Sequence, residues 1–303
     1  MSFMIIFSRS SQSVDARNPG PGSVIRAMTS QVMATWTRPP RLANMSVAVE
    51  APSVGALLRT WRERRRFSQQ ELSNRSRVST RHLSRVETGK AHPTPEMIMH
   101  LSDNLDVPLR DRNRLLLAGG YAPRYQDRQL DDVSIAVVMD GLRRLLDAHL
   151  PYPALLLDEH WDIVDANAAV DQLLTGCAPE LLEPPINVVR VCLHPDGLAG
   201  RIGNREEWGG HLLQQVSHRA ERTHDQRHRE LAAEIAGYLD KSDLATPLTG
   251  PVVILEIDVD GDPLRFFSTS ATLSAATDAT LEGLHLETFL PADDETRRRF
   301  DKR

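Results

Sequence analysis

The chain has 303 residues, with 36 Lys and Arg against 41 Asp and Glu, and a net charge of −5 at pH 7. Hydrophobic residues make up 41%, ample for two cores behind an N-terminal arm. No apolar run is long enough to span a membrane, so a cytoplasmic protein with no membrane partner is expected. Cys177 and Cys192, with no Cys-x-x-Cys pair, argue against a disulfide scaffold or a zinc finger.

Residues 1–52 are Ser, Arg, Pro and Gly with little apolar period, and a disordered arm is expected there. Met4-Ile5-Ile6-Phe7 is too short for a signal peptide core, and no basic residue precedes it. Met28, Met33 and Met45 are possible alternative starts.

Val54, Leu57, Leu58 and Trp61 follow the i, i+3, i+4, i+7 rule of a one-sided helix. Ser68 and Glu71 then form a capping box, in which each side chain satisfies a free backbone N–H at a helix start. Leu72 sits on the inner face of that helix, and Ser76-Arg77-Val78 breaks it. Ser79 offers a second cap, Leu83 and Val86 face one side, and Gly89 ends the helix. Two short helices around a tight turn make a helix-turn-helix. Its outward face carries Thr80, Arg81, Ser84 and Arg85. Ten basic side chains against three acidic ones lie between Val54 and His92, on a chain that is acidic elsewhere. That asymmetry suits a surface that binds phosphates.

The run Ser68-Gln69-Gln70-Glu71-Leu72, then Val78-Ser79 and Leu83 to Lys90, closely resembles the XRE-type helix-turn-helix of the phage Cro and CI repressors. The resemblance covers about Val54 to Ala118 and implies double-stranded DNA as partner. It implies base or backbone contacts from Gln69, Ser79, Thr80, Arg81, Ser84, Arg85 and Lys90, with Gln69 meeting a phosphate. It also implies an ion pair between Arg62 and Glu87. Thr94-Pro95-Glu96 opens a fourth helix with Met97, Ile98, Leu101 and Leu105 inside. Pro108 opens a fifth, with Leu115, Leu116 and Leu117 inside and Gly119-Gly120 at its end. An all-α, five-helix, lambda-repressor-like head over residues 53–120 is expected, followed by a polar linker at 121–132.

Val133 to His149 reads as a helix stopped by Pro151. Ala154–Asp158 and Trp161–Asp165 read as strands around a Glu159-His160 turn, and Asn167 as a helix cap. Asn187–Leu193 reads as a short apolar turn, Asn204 as the cap of a long helix through Trp208 and Leu212, and Arg227–Leu239 as another helix. Val252–Asp258, Leu264–Leu273 and Leu284–Leu290 return to strands, the first two around an Asp-Gly turn. The order is α+β: an antiparallel sheet with helices gathered on one face.

That order resembles a PAS domain. Pro151-Tyr152-Pro153-Ala154, Asn187-Val188-Val189-Arg190, Leu193-His194-Pro195-Asp196-Gly197-Leu198 and Phe289-Leu290-Pro291-Ala292-Asp293 look like the MmyB-like ligand-binding domain of actinobacterial regulators. The resemblance spans about Ala122 to Arg299 and implies a PAS-like sensor over 133–299, with fatty-acid-like molecules as a plausible ligand class. The expected apolar lining is Leu155, Leu157, Trp161 and Val164 on strands, with Leu173, Val189, Leu193, Trp208 and Leu212 on helices. Phe266 and Phe267 fall on opposite strand faces, and we take Phe267 as the inward one. Arg190 and Asn204 are candidates to hold a polar head.

Catalytic chemistry finds little support. No Gly-x-Ser-x-Gly, phosphate loop or placed Cys nucleophile occurs, and no cofactor is expected. His224 and His228 lack the His-Glu-x-x-His pattern, so no metal is expected. Asp158, Asp162 and Asp165 suit a solvated strand edge. A homodimeric, sequence-specific DNA-binding regulator with a small-molecule sensor is expected. An antitoxin-type repressor with a protein partner, or an enzyme carrying an autoregulatory head, are the alternatives.

Overall fold

The computed structural model describes residues 52–239, 251–274 and 276–301. The expected disordered arm and the alternative starts fall outside them, apart from Pro52.

Five helices come first: α1 (Val54–Arg64), α2 (Gln69–Ser76), α3 (Thr80–Glu87), α4 (Pro95–Asn104) and α5 (Leu109–Ala118). Local chemistry sets their ends. Ser53, Ser68, Ser79 and Thr94 each accept a backbone N–H of the first turn, and the Ser68–Glu71 box is reciprocal. Arg77 at φ 55° and Gly89 at φ 72° end α2 and α3. Leu58, Trp61, Leu72, Leu83, Val86, Ile98, Leu101, Leu105, Leu115 and Leu116 close one core. Leu117 corrects the expectation at α5: it is 57% exposed, because it turns past the core-facing side that Leu115 and Leu116 occupy. Gly55 permits the tightest contact, since a Cβ there would lie 2.1 Å from the Val86 carbonyl oxygen.

The linker expected at 121–132 is pinned at both ends. Asn113 binds the backbone of Arg124 and Tyr125, Arg110 holds Asp127, and Arg128 holds Asp278. Beyond it, a 3-10 turn at Val133–Ile135 leads into α6 (Ala136–Ala148). Strands β1 (Ala154–Leu157) and β2 (Ile163–Ala166) follow, then α7 (Ala168–Leu174), α8 (Val188–Leu193), α9 (Arg205–Thr223) and α10 (Gln226–Ala236). The chain closes with β3 (Ile254–Val259), β4 (Asp262–Thr272), α11 (Ala279–Glu282), β5 (His285–Pro291) and α12 (Asp294–Asp301). All pairings of the five-stranded sheet are antiparallel, in the order β2-β1-β5-β4-β3.

Helices cover both faces of this sheet, not one. Leu155, Leu157, Phe266 and Phe289 face the cluster closed by Trp161, Val189, Leu193, Trp208, Leu212 and Ile235. Ala154, Leu156 and partly buried Val164 and Leu286 face α6 through Leu142 and Leu146. Alternate strand residues point to opposite faces, so each strand serves both layers. Asn167 and Asn204 are not side-chain helix caps. Asn167 binds Leu146, Tyr152 and Ala154 of the backbone, and Asn204 ties α9 to β3 through Ile254 and Glu256. No described helix is long and apolar enough to cross a membrane.

Candidate functional site

On the head, α3 presents Arg81 and Arg85 to solvent, with Lys90 just beyond it. Among the described residues none of the three has an ion-pair partner, so their charges remain available to phosphates or bases. Ser79 caps α3 by accepting the His82 N–H, Thr80 donates to Gln70, and Ser84 is half-buried. Gln69, expected at a phosphate, also donates its amide to Glu87 at 2.8 Å. That contact belongs to a buried lock. Arg62 binds Glu87 through two parallel bonds of 2.7 and 2.9 Å and donates a third to the Phe67 carbonyl. The sequence therefore located the Arg62–Glu87 pair but missed Gln69 as its third member.

In the sensor layer, Leu155, Leu157, Trp161, Val189, Leu193, Trp208 and Leu212 come together in one cluster, with Leu173 packed at its edge. Two expected members do not join them. Val164 belongs to the α6 side, and Phe266, not Phe267, is the fully buried ring, because β4 turns its even-numbered residues inward. The expected head-group holders are otherwise engaged. Arg190 makes a two-bond pair with Glu234 at 2.5 and 2.8 Å, and Asn204 is spent on β3. Polar groups that the sequence did not single out lie inside instead. Glu287 stands opposite Leu155 and shares the inward face of β5 with Phe289. Burial holds its carboxyl above the usual range. Burial, with Glu287 nearby, pushes the Cys192 thiol up to about 12. The indole nitrogen of Trp208 is buried with no oxygen or nitrogen acceptor, and only the Cys192 sulfur lies beside it. A strand alternation that puts a carboxylate in register with Leu155 and Phe289 was the available sequence signal.

The β1–β2 turn is more structured than a solvated edge. Asp158 accepts N–H groups of His160 and Asp162, holding Trp161 at φ 63° with its indole in the core. Asp162 is buried and bound by Asn187 and Arg227. His160, Asp225 and His228 lie within 4.8 Å of one another, as three metal ligands would. Both nitrogens of His228 are engaged, one with the Glu159 carbonyl and one with Thr223, and Arg227 stands 3.3 Å from the His160 ring. Those bonds and that nearby cation fit a hydrogen-bonded turn better than a metal centre.

No curated protein matches the chain. A helix-turn-helix domain model matches residues 53–115. The model of the MmyB-like transcription regulator ligand binding domain matches residues 138–302, more than half of the sequence. The chain therefore belongs to the MmyB-like transcription regulators, with a DNA-binding helix-turn-helix ahead of a ligand-binding domain.

Proposed function

We propose that the protein is a homodimeric, sequence-specific transcription regulator. Its head spans 53–120 and its sensor 133–299, and the sensor takes a small, largely apolar, fatty-acid-like ligand between the sheet and α7–α10. The buried Trp208 N–H, which has only the weak acceptor Cys192 sulfur beside it, carries the ligand claim. A buried donor left without an acceptor costs ~1–3 kcal/mol, and a ligand oxygen would relieve that cost. Glu287, whose carboxyl burial holds above the usual range against a hydrogen bond with Ser268, is a second polar group toward a carboxyl or carbonyl head. Cys192 retains accessible surface although its surroundings push its thiol far up, as suits the wall of an internal space.

The dimer reading rests on α6 and the turn before it. Val133, Val137 and Leu145 are 88%, 83% and 56% exposed, and exposed Gly141 lies in line with them. An apolar stripe at that spacing suits a second copy of the same helix. A single recognition helix reads few base pairs, so two heads are needed for a specific site. Ligand then acts by favouring one dimer geometry over another.

The test is native mass spectrometry of the purified protein, followed by thermal shift and operator titration with medium and long acyl chains. Retained or added acyl chain that raises the melting temperature in wild type, but not in Trp208→Phe with Glu287→Leu, supports the proposal. If no chain changes melting or DNA affinity, and extraction yields no lipid, the acyl-sensor claim fails while DNA binding stands.

A further inference from the structure

A cleft of about 720 Å3 separates α1 and α5 of the head from the β1–β2 turn, the α9–α10 junction and α11. Its acidic groups are mostly engaged. Glu159 is held by Arg110, Asp111 by Arg114, and Glu282 accepts the Leu109 N–H. Asp225 caps α10 through the N–H groups of Arg227 and His228, and Asp106 is exposed. Those pairings also neutralise Arg110 and Arg114, while Arg112 pairs with Asp103 outside the cleft lining.

Beside Asp106 and Glu282, which also lack an ion-pair partner among the described residues, the unpaired charges are cationic and come from both bodies. Arg64 stands on α1, Arg219 and Arg222 on α9, and among the described residues none of the three has an ion-pair partner. Arg64 and Arg219 are half-buried, each over an indole, at 4.8 Å from Trp61 and 5.7 Å from Trp161. The Arg64 Nε and the His160 Nε2 are buried without a hydrogen-bond partner; the latter lies 3.5 Å from Asp225. Cations of both bodies therefore line one open cleft, and the Arg64 Nε inside it lacks an acceptor. Desolvated guanidinium groups are strong, bidentate ligands for oxyanions.

We propose that this cleft binds a small, multiply charged anion of the phosphate class, held by Arg64, Arg219, Arg222 and the His160 Nε2. The volume exceeds what inorganic phosphate needs and suits a phosphorylated metabolite. The anion bridges head and sensor, so its occupancy sets how firmly the two are joined. The site is separate from the apolar layer and does not depend on the acyl proposal.

The test uses full-length protein and pyrophosphate as probe, titrated calorimetrically at fixed ionic strength with chloride as the balancing anion. One pyrophosphate per chain is expected, with a raised melting temperature. Arg219→Gln and Arg64→Gln should each weaken binding at least tenfold, and exposed Arg222→Gln, the variant with least risk to folding, should weaken it measurably. Arg81→Ala with Arg85→Ala should leave it unchanged. Absence of binding would overturn the proposal, as would binding that survives Arg219→Gln but is lost with Arg81 and Arg85.

Discussion

Arg62→Ala should unfold the head far more readily than a surface charge deletion would. The Arg62 and Glu87 side chains are only 9% and 3% exposed, so the pair belongs to the buried regime. Exposed pairs contribute ~0–1 kcal/mol, whereas removing one partner of a buried pair costs about 3–5 kcal/mol. Here the truncation strands a carboxylate against Gln69 alone and frees the Phe67 carbonyl. For a domain of this size each 1 kcal/mol lowers the midpoint by about 4–8 °C, so a fall of at least about 12 °C is expected. Replacing both partners, Arg62→Met with Glu87→Leu, removes the stranded charge and should recover most of the loss. Thermal and urea melts of the three proteins by circular dichroism check this. A loss below ~1 kcal/mol in the single variant, or a double variant as unstable as the single, would refute the buried-lock account.

Gly55→Ala should destabilise the head by about 1–3 kcal/mol, measured by urea melts, because the new methyl meets the Val86 backbone oxygen and pushes α3 off α1. Glu287→Gln should stabilise the protein at pH 7. The folded-state pKa of Glu287 is raised, so its ionisation opposes folding as pH climbs through and above the ordinary carboxylate range. The advantage of the variant should accordingly shrink as pH falls toward that range, and a pH-independent difference would contradict the assignment. Val137→Glu, on the exposed face of α6, should convert dimer to monomer in analytical ultracentrifugation with the helix content unchanged, and a dimer that persists would place the interface elsewhere.

The head was legible because its signals are local. Ser68–Glu71, Ser79, Thr94-Pro95 and Gly89 act within one helical turn, so the sequence places every helix of the head to within a few residues. The order of strands was legible for a similar reason, since alternation and turn residues mark each one. Tertiary use of polar side chains was not. Asn167 and Asn204 look like caps in sequence, and distant backbone claims both, while Gln69 takes part in the Arg62–Glu87 lock that its position does not announce. Neither Phe266 nor Phe267 declares its face until the register with β3 and β5 is fixed. The α12 helix was missed because its start depends on Asp293 accepting the Thr296 N–H, while Thr296 itself is drawn inward by the Arg265 N–H. The inter-domain cleft depends on which charges remain after pairing, and pairing across more than 100 residues leaves no trace in spacing.

The central claim is that α3 reads DNA for a paired regulator, and selection of bound fragments from a random duplex pool tests it most directly. Wild-type protein should enrich a two-fold symmetric motif whose half-sites lie about one helical turn apart, ~10 base pairs centre to centre. Arg81→Ala should lose preference at one position of each half-site, at a cost of ~1–3 kcal/mol. Lys90→Ala should keep the motif and weaken all sequences alike. Enrichment of the same motif, with the same affinity, by wild type and Arg81→Ala would contradict the account.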